Sequence, residues 1–198
     1  LKFVLLDSYE AGTPTWTPRM REAFQARRGY DPLPFLPVLG GFRVASAERE
    51  AAFRADWDQT VKDLYRDVLF KTMREKLHAV GLEFACEPYT GPFDSRACAA
   101  HVDRLMTEFW FNPSLNRGVP KRLGWNQWTG PDGRRHNVVE AEAFTGQPNV
   151  CQWTETPLQL KACGDQQFAR GVNRFILHTS PLQPWDDGIV PGMTMGRW

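Results

Sequence analysis

Apolar positions along this chain fall into two alternating textures. Short, near-continuous runs suited to strands covered on both faces lie at residues 2–7, 82–86, 105–111, 137–141 and 173–177. Between them, apolar residues recur at three- and four-residue spacing. Thr17 and Pro18 predict a helix N-cap and first helical position, Met20 and Phe24 its apolar face, and Gly29 its end. Phe53, Trp57, Val61, Leu64, Val68, Met73, Leu77 and Val80 predict a long helical region over 48–80, one helix or two end to end, stopped by Gly81. Asp94 predicts the cap of a short helix. Thr154 with Pro157 predicts the start of another, running to about Gly171 with Leu158, Ala162 and Phe168 on one side. Residues 31–41 hold too many prolines for regular structure and read as a packed connecting loop. Residues 112–136 show little period and read as mostly loop with room for one irregular helix, and the stretch after residue 177 reads as a Pro/Gly-rich loop.

Five alternations of strand and helix imply parallel strands joined by crossovers, hence an α/β fold. No GxGxxG or GxxxxGK[ST] follows any strand, which speaks against a nucleotide site. Acidic residues beyond several different strands, with no single dominant loop, fit a (β/α)8 TIM-like barrel better than a doubly wound sheet. About five units do not close such a barrel. The chain opens within one residue of a strand and stops without a closing helix. The expectation is therefore a partial barrel truncated at both ends, the C-terminal portion of a catalytic domain, and inactive as an isolated 198-residue piece.

Composition narrows the choice of function. Hydrophobic residues make up 42% and charged residues 24%, as in globular proteins, and the formal net charge of +1 provides no field for nucleic acid or anionic membrane. No apolar stretch is long enough to span a bilayer. The four cysteines lack metal-binding spacing, so buried free thiols are expected rather than a bridge or a zinc site. Tryptophan is the outlier, with eight residues placed mostly near strand ends or in loops. Flat rings with one polar N–H suit a surface that meets the face of a sugar.

Four of the apolar runs lead into acids: Asp7 and Glu10, Glu87, Glu108, and Glu142; the fifth leads into His178. Chemistry in parallel α/β sheets gathers beyond the carboxyl ends of the strands, and clustered like charges need a cation, a substrate or shared protons. Two carboxyl groups across a pocket are the requirement of glycoside hydrolysis, one to protonate the leaving oxygen and one to activate water. Glu10 and Glu142 are the candidate pair. The competing reading of each is a rim carboxylate held by an arginine.

The segments DSYEAG (7–12), RRGYDPLPFLPVL (27–39), LYRD (64–67), EPYTGPFD (87–94), AEAFT (141–145), LKACGD (160–165), GVNRFILHT (171–179) and PGMTMG (191–196) resemble glycoside hydrolase family 106, the α-L-rhamnosidases. The resemblance implies a (β/α)8 catalytic domain in a larger multidomain enzyme that removes terminal α-L-rhamnose from plant-type polysaccharides or glycosides, with inversion and dependent on calcium. It also implies a secreted or periplasmic location. By it, Glu10 matches the general acid and Glu142 the base, and Glu108 in TEFW lies near the calcium. Asp7, Glu87, His178 and Trp185 are implied on the substrate side, with Glu87 also a weaker candidate for the calcium region. Tyr9 stands where the family leads one to expect tryptophan. A carbohydrate-binding relic of the same fold without catalysis is the alternative, and a metal-dependent hydrolase of another kind is disfavoured by the absence of HxH and HExxH.

Overall fold

The computed structural model describes residues 1–13, 16–112, 117–121, 138–178 and 188. The chain divides into two compact units, Leu1–Asp103 and Arg104–Trp198.

In the first unit, β1 (Phe3–Leu6) and β2 (Glu83–Cys86) pair in parallel with Leu6 opposite Cys86. The segment between them is mostly helical. Helix α1 (Met20–Arg28) starts later than Thr17 and Pro18 predict: Arg19 occupies the cap position without a side-chain bond, and Thr17 contributes its carbonyl to the Met20 amide. Met20 and Phe24 are buried, and Gly29 ends the helix at φ 81°, a conformation that glycine adopts without strain.

Residues 31–41 are more regular than their prolines suggest. Leu33–Phe35 form a 3-10 turn and Leu36–Leu39 the short helix α2. Pro32 occupies the cap position of the 3-10 turn, and Pro34 and Pro37 fall in the first turn of their elements, where a missing N–H breaks no intrahelical bond. Val38 is thereby buried with Phe24 and Phe53, and Tyr30, Phe35, Leu36 and Trp57 pack on that cluster. Each fully buried ring of this kind contributes about 2 kcal/mol.

The long helical region consists of α3 (Ala47–Leu64), a π-helical segment (Tyr65–Phe70) and α4 (Lys71–His78). Ser46 caps α3 by accepting the Arg49 amide. A π turn adds a residue to the helix and rotates the face that follows. Phe53 and Val61 are buried as predicted, but within the π segment Phe70 is buried while Val68 is 55% exposed, and after α4 Val80 is 69% exposed. Phe70 packs on Phe84 of β2 and on Phe93. Asp94 caps α5 (Ser95–Ala99) as expected, accepting the Arg96 and Ala97 amides.

In the second unit, β3 (Arg104–Asn112), β5 (Glu140–Gly146) and β6 (Arg174–Leu177) are parallel neighbours in that order. Strand β4 (Arg117–Lys121) lies antiparallel against β3, inside the stretch that reads as loop. RGVPK has no alternation of its own, so partner bonds rather than periodicity make it a strand. β5 begins at Glu140, later than residues 137–141 predict, and continues to Gly146. Helix α6 (Pro157–Ala169) is capped by Thr156 in a capping box with Gln159. Its buried side is Cys163, Gly164 and Gln167, whereas Leu158 is 81% and Phe168 54% exposed. Small residues let the helix approach the sheet: a Cβ on Gly164 would lie 3.3 Å from the Phe144 ring. Phe109, Phe111, Ala141, Ala143, Cys151, Cys163 and Val172 form the core here.

Parallel strands and intervening helices in both units make the fold class α/β, the repeating element of a partial (β/α)8 barrel. All four cysteines are free and buried. No helix among the described residues is long and apolar enough to cross a membrane.

Candidate active site

In the first unit the acids follow from strand pairing. Asp7 comes directly after β1, its Oδ1 accepting the Ser8 amide at 2.8 Å. Glu87 comes directly after β2, its amide still bonded to the Leu6 carbonyl at 3.1 Å. Because paired parallel strands end side by side, carboxylate oxygens of Asp7 and Glu87 lie within 4.8 Å of one another. Glu87 is 1% exposed and accepts the Tyr89 hydroxyl on Oε2. Glu10 is exposed. Asp7, Glu10 and Glu87 share a cavity of about 290 Å³, with Tyr9, Phe70 and Phe93 among its other walls. Among the described residues lining it there is no lysine or arginine.

In the second unit, Glu108 and Glu142 are register partners on β3 and β5. Neither ends its strand, as the apolar runs suggested: β3 continues to Asn112 and β5 to Gly146. Phe109, Phe111, Ala141 and Ala143 turn into the core, so the two-residue period of a strand sends Glu108 and Glu142 to the opposite face. Glu108 is 5% exposed and accepts the Trp110 indole N–H on Oε2 at 2.8 Å. Between the pairs Glu108–Glu142 and Trp110–Thr145, β5 carries one residue more than β3, a bulge with Phe144 at φ 62°. Bulges re-aim side chains. Here the Thr145 hydroxyl donates to Glu142 Oε1.

Glu140 realises the competing reading of an acid held by arginine. It is 2% exposed and pairs with Arg104 at 2.6 Å and also with Arg174. His178 follows β6 directly, half-buried, its amide donating to the Ala143 carbonyl at 3.5 Å. Trp185 lies outside the described residues.

The structure thus brings Asp7, Glu10 and Glu87 to one cavity and Glu108 and Glu142 to one sheet face. Sequence reasoning missed Tyr89, Trp110 and Thr145, which hold the acids. Trp110 stands two residues beyond Glu108, so strand period alone can find it; Thr145, three beyond Glu142, needs the bulge.

Thiol chemistry is closed off. Burial and the neighbouring Glu87 carboxylate push the Cys86 thiol above its ordinary range, and burial pushes Cys98 up to about 12. Cys151 and Cys163 are likewise pushed up by burial to about 11, Cys151 with the help of Glu155.

A family model described as alpha-L-rhamnosidase matches residues 1–198. A protein of Formosa agariphila named "Putative beta-glucuronidase" is 38% identical over 191 residues, which is 96% of this chain and 16% of that protein. The structure of a rhamnosidase from Novosphingobium sp. PP1Y matches with a TM-score of 0.71 and 33% identity, covering 94% of this chain and 18% of the other. This chain therefore spans under a fifth of the length of either relative. With its model matched from the first residue to the last, the chain belongs to glycoside hydrolase family 106, the alpha-L-rhamnosidase family.

Proposed function

We propose that this chain supplies the reacting carboxyl groups of an enzyme that hydrolyses terminal α-L-rhamnosides with inversion, Glu10 acting as general acid and Glu142 as general base. The observation that carries the reading is the acidic cavity beyond β1 and β2, where Glu10 stands exposed and able to meet a leaving oxygen. Support for Glu142 comes from its place within a strand and from the Thr145 hydroxyl, which together restrict where its second oxygen points.

The step balances as follows. Glu10 transfers its proton to the glycosidic oxygen as the C1–O bond breaks and its electron pair passes to that oxygen, releasing an alcohol. Water attacks C1 from the opposite face and forms the new C1–O bond, and Glu142 takes the water proton. Exchange with solvent returns both groups to their starting states. Asp7 and Glu87 accept hydrogen bonds from sugar hydroxyls, and His178 and Trp185 bound the substrate.

Calcium is the proposed cofactor, with Glu108 as a ligand. The donor chemistry fits: Glu108 is a buried carboxylate in register with a second one, and hard cations take oxygen ligands. When bound, the ion would offset carboxylate charge and accept sugar hydroxyl oxygens.

The relative named as a glucuronidase raises uronides as an alternative substrate class. Three carboxylates and no cationic side chain among the described lining residues of the first unit's cavity disfavour an anionic sugar and favour a neutral deoxy sugar.

In the full-length protein, Glu10→Gln and Glu142→Gln are each expected to lower kcat on an alkyl α-L-rhamnoside by about a thousandfold, with KM within a few fold. The matching β-D-glucuronide is expected to be untouched. Full activity in either variant contradicts that residue's role. Rhamnose binding without turnover in the unsubstituted protein would instead establish a carbohydrate-binding relic.

A further inference from the structure

Tyr9, the residue before Glu10, is held from several directions within the first unit. The Tyr65 hydroxyl donates to the Tyr9 hydroxyl at 2.8 Å. The Thr90 hydroxyl lies 2.7 Å from the Tyr9 carbonyl and 2.6 Å from that of Tyr89, placed to donate to either. The rings of Tyr65 and Phe93 meet the Tyr9 ring edge-on, with centroids 5.6 and 6.0 Å away.

Both hydroxyl anchors sit on uncommon backbone. Tyr65 opens the π-helical segment, and Thr90 is a β-branched residue at φ 65°. Such features persist where surrounding contacts enforce them, and they gather at functional sites. Here the π segment holds Phe93 with two rings, those of Tyr65 and Phe70, at centroid distances of 5.3 and 5.2 Å, while its first residue reaches Tyr9. Burial, aided by the bond to Tyr9, raises the Tyr65 phenol above the ordinary tyrosine value, so it remains a donor at neutral pH.

We propose that Tyr65 is a positioning residue for Glu10: through Tyr9 it fixes the loop that carries the acid, and its hydroxyl serves proton donation rather than sugar binding. The inference rests on Glu10 being the general acid.

Tyr65→Phe in the full-length enzyme keeps the ring and deletes the donor. On an alkyl α-L-rhamnoside, whose departing oxygen needs a proton, kcat is expected to fall about tenfold with KM little changed. On 2,4-dinitrophenyl α-L-rhamnoside, whose leaving group departs unassisted, the rate is expected to stay within about twofold. Equal loss on both substrates, or none on either, overturns the inference, because a merely structural role acts on both alike.

Glu10→Gln assayed on the same two substrates separates the readings. A selective loss there but not in Tyr65→Phe removes the positioning role alone; no selective loss in Glu10→Gln removes the acid assignment and the inference with it. Tyr9→Phe deletes the acceptor and gives an independent readout should Tyr65→Phe fail to fold. It should reproduce the selective loss, and the double variant should add nothing further; additive losses contradict the pairing.

Discussion

Glu108 on β3 and Glu142 on β5 are paired directly across a parallel ladder, so two carboxylates stand side by side on one sheet face. Like charges so placed need hydrogen bonds, a cation or a proton. Trp110 and Thr145 supply donors to this pair. Glu140, two residues earlier on β5, meets the same demand with the guanidinium groups of Arg104 and Arg174. One face thus carries Glu140, held by two arginines, and next to it Glu108 and Glu142, each accepting a hydrogen bond from a neighbour on its own strand.

That contrast separates stability from activity. Glu140→Gln leaves Arg104 beside an amide and is expected to cost about 3 kcal/mol in urea unfolding of the full-length protein. Glu142→Gln is expected to cost under about 1 kcal/mol while lowering kcat about a thousandfold. Equal destabilisation by the two substitutions contradicts the division of roles.

Calcium dependence gives a second test. Chelation of the full-length enzyme is expected to remove activity that added calcium restores, and Glu108→Gln should raise the calcium concentration needed by at least about tenfold. Activity unaffected by exhaustive chelation argues against the cofactor. An unchanged calcium requirement in the variant argues against Glu108 as its ligand.

Asp103 predicts a pH effect on stability. Burial alone would raise its carboxyl, but the Phe84 amide, His78 and Arg74 together bring it below the usual carboxylate range. A lowered folded pKa means that the contribution is fully present above the unfolded value of about 3.9 and is lost as pH falls through the folded value. Asp103→Asn should therefore be less stable than the unsubstituted protein at neutral pH, with the gap closing below about pH 4. A gap unchanged down to about pH 2 contradicts this.

The parts legible in the sequence are those set by local chemistry. Gly29 and Gly81 both take positive φ where they were expected to end helices, Asp94 caps a helix, and Asp7 and Glu87 directly follow strands. The parts that were not legible depend on distant partners. A π turn cannot be seen in apolar spacing, so Val68 looks buried and Phe70 takes its place. β4 exists because β3 pairs with it, and α6 turns Cys163 and Gly164 to the sheet, where their small size allows close approach, rather than Leu158 and Phe168. Five acids were readable as candidates because each follows or interrupts an apolar run, although Glu108 and Glu142 lie inside their strands. Of the holding groups, Trp110 follows from the strand period, whereas Tyr89 depends on the loop after β2 and Thr145 on the bulge in β5.

Proton NMR of rhamnose as it is released by the full-length enzyme from an α-L-rhamnoside decides whether two carboxyl groups work on opposite faces of the sugar. The β anomer is expected first, with the α anomer arising only by later mutarotation. The α anomer appearing first, or no rhamnose released at all, would contradict inverting hydrolysis by Glu10 and Glu142.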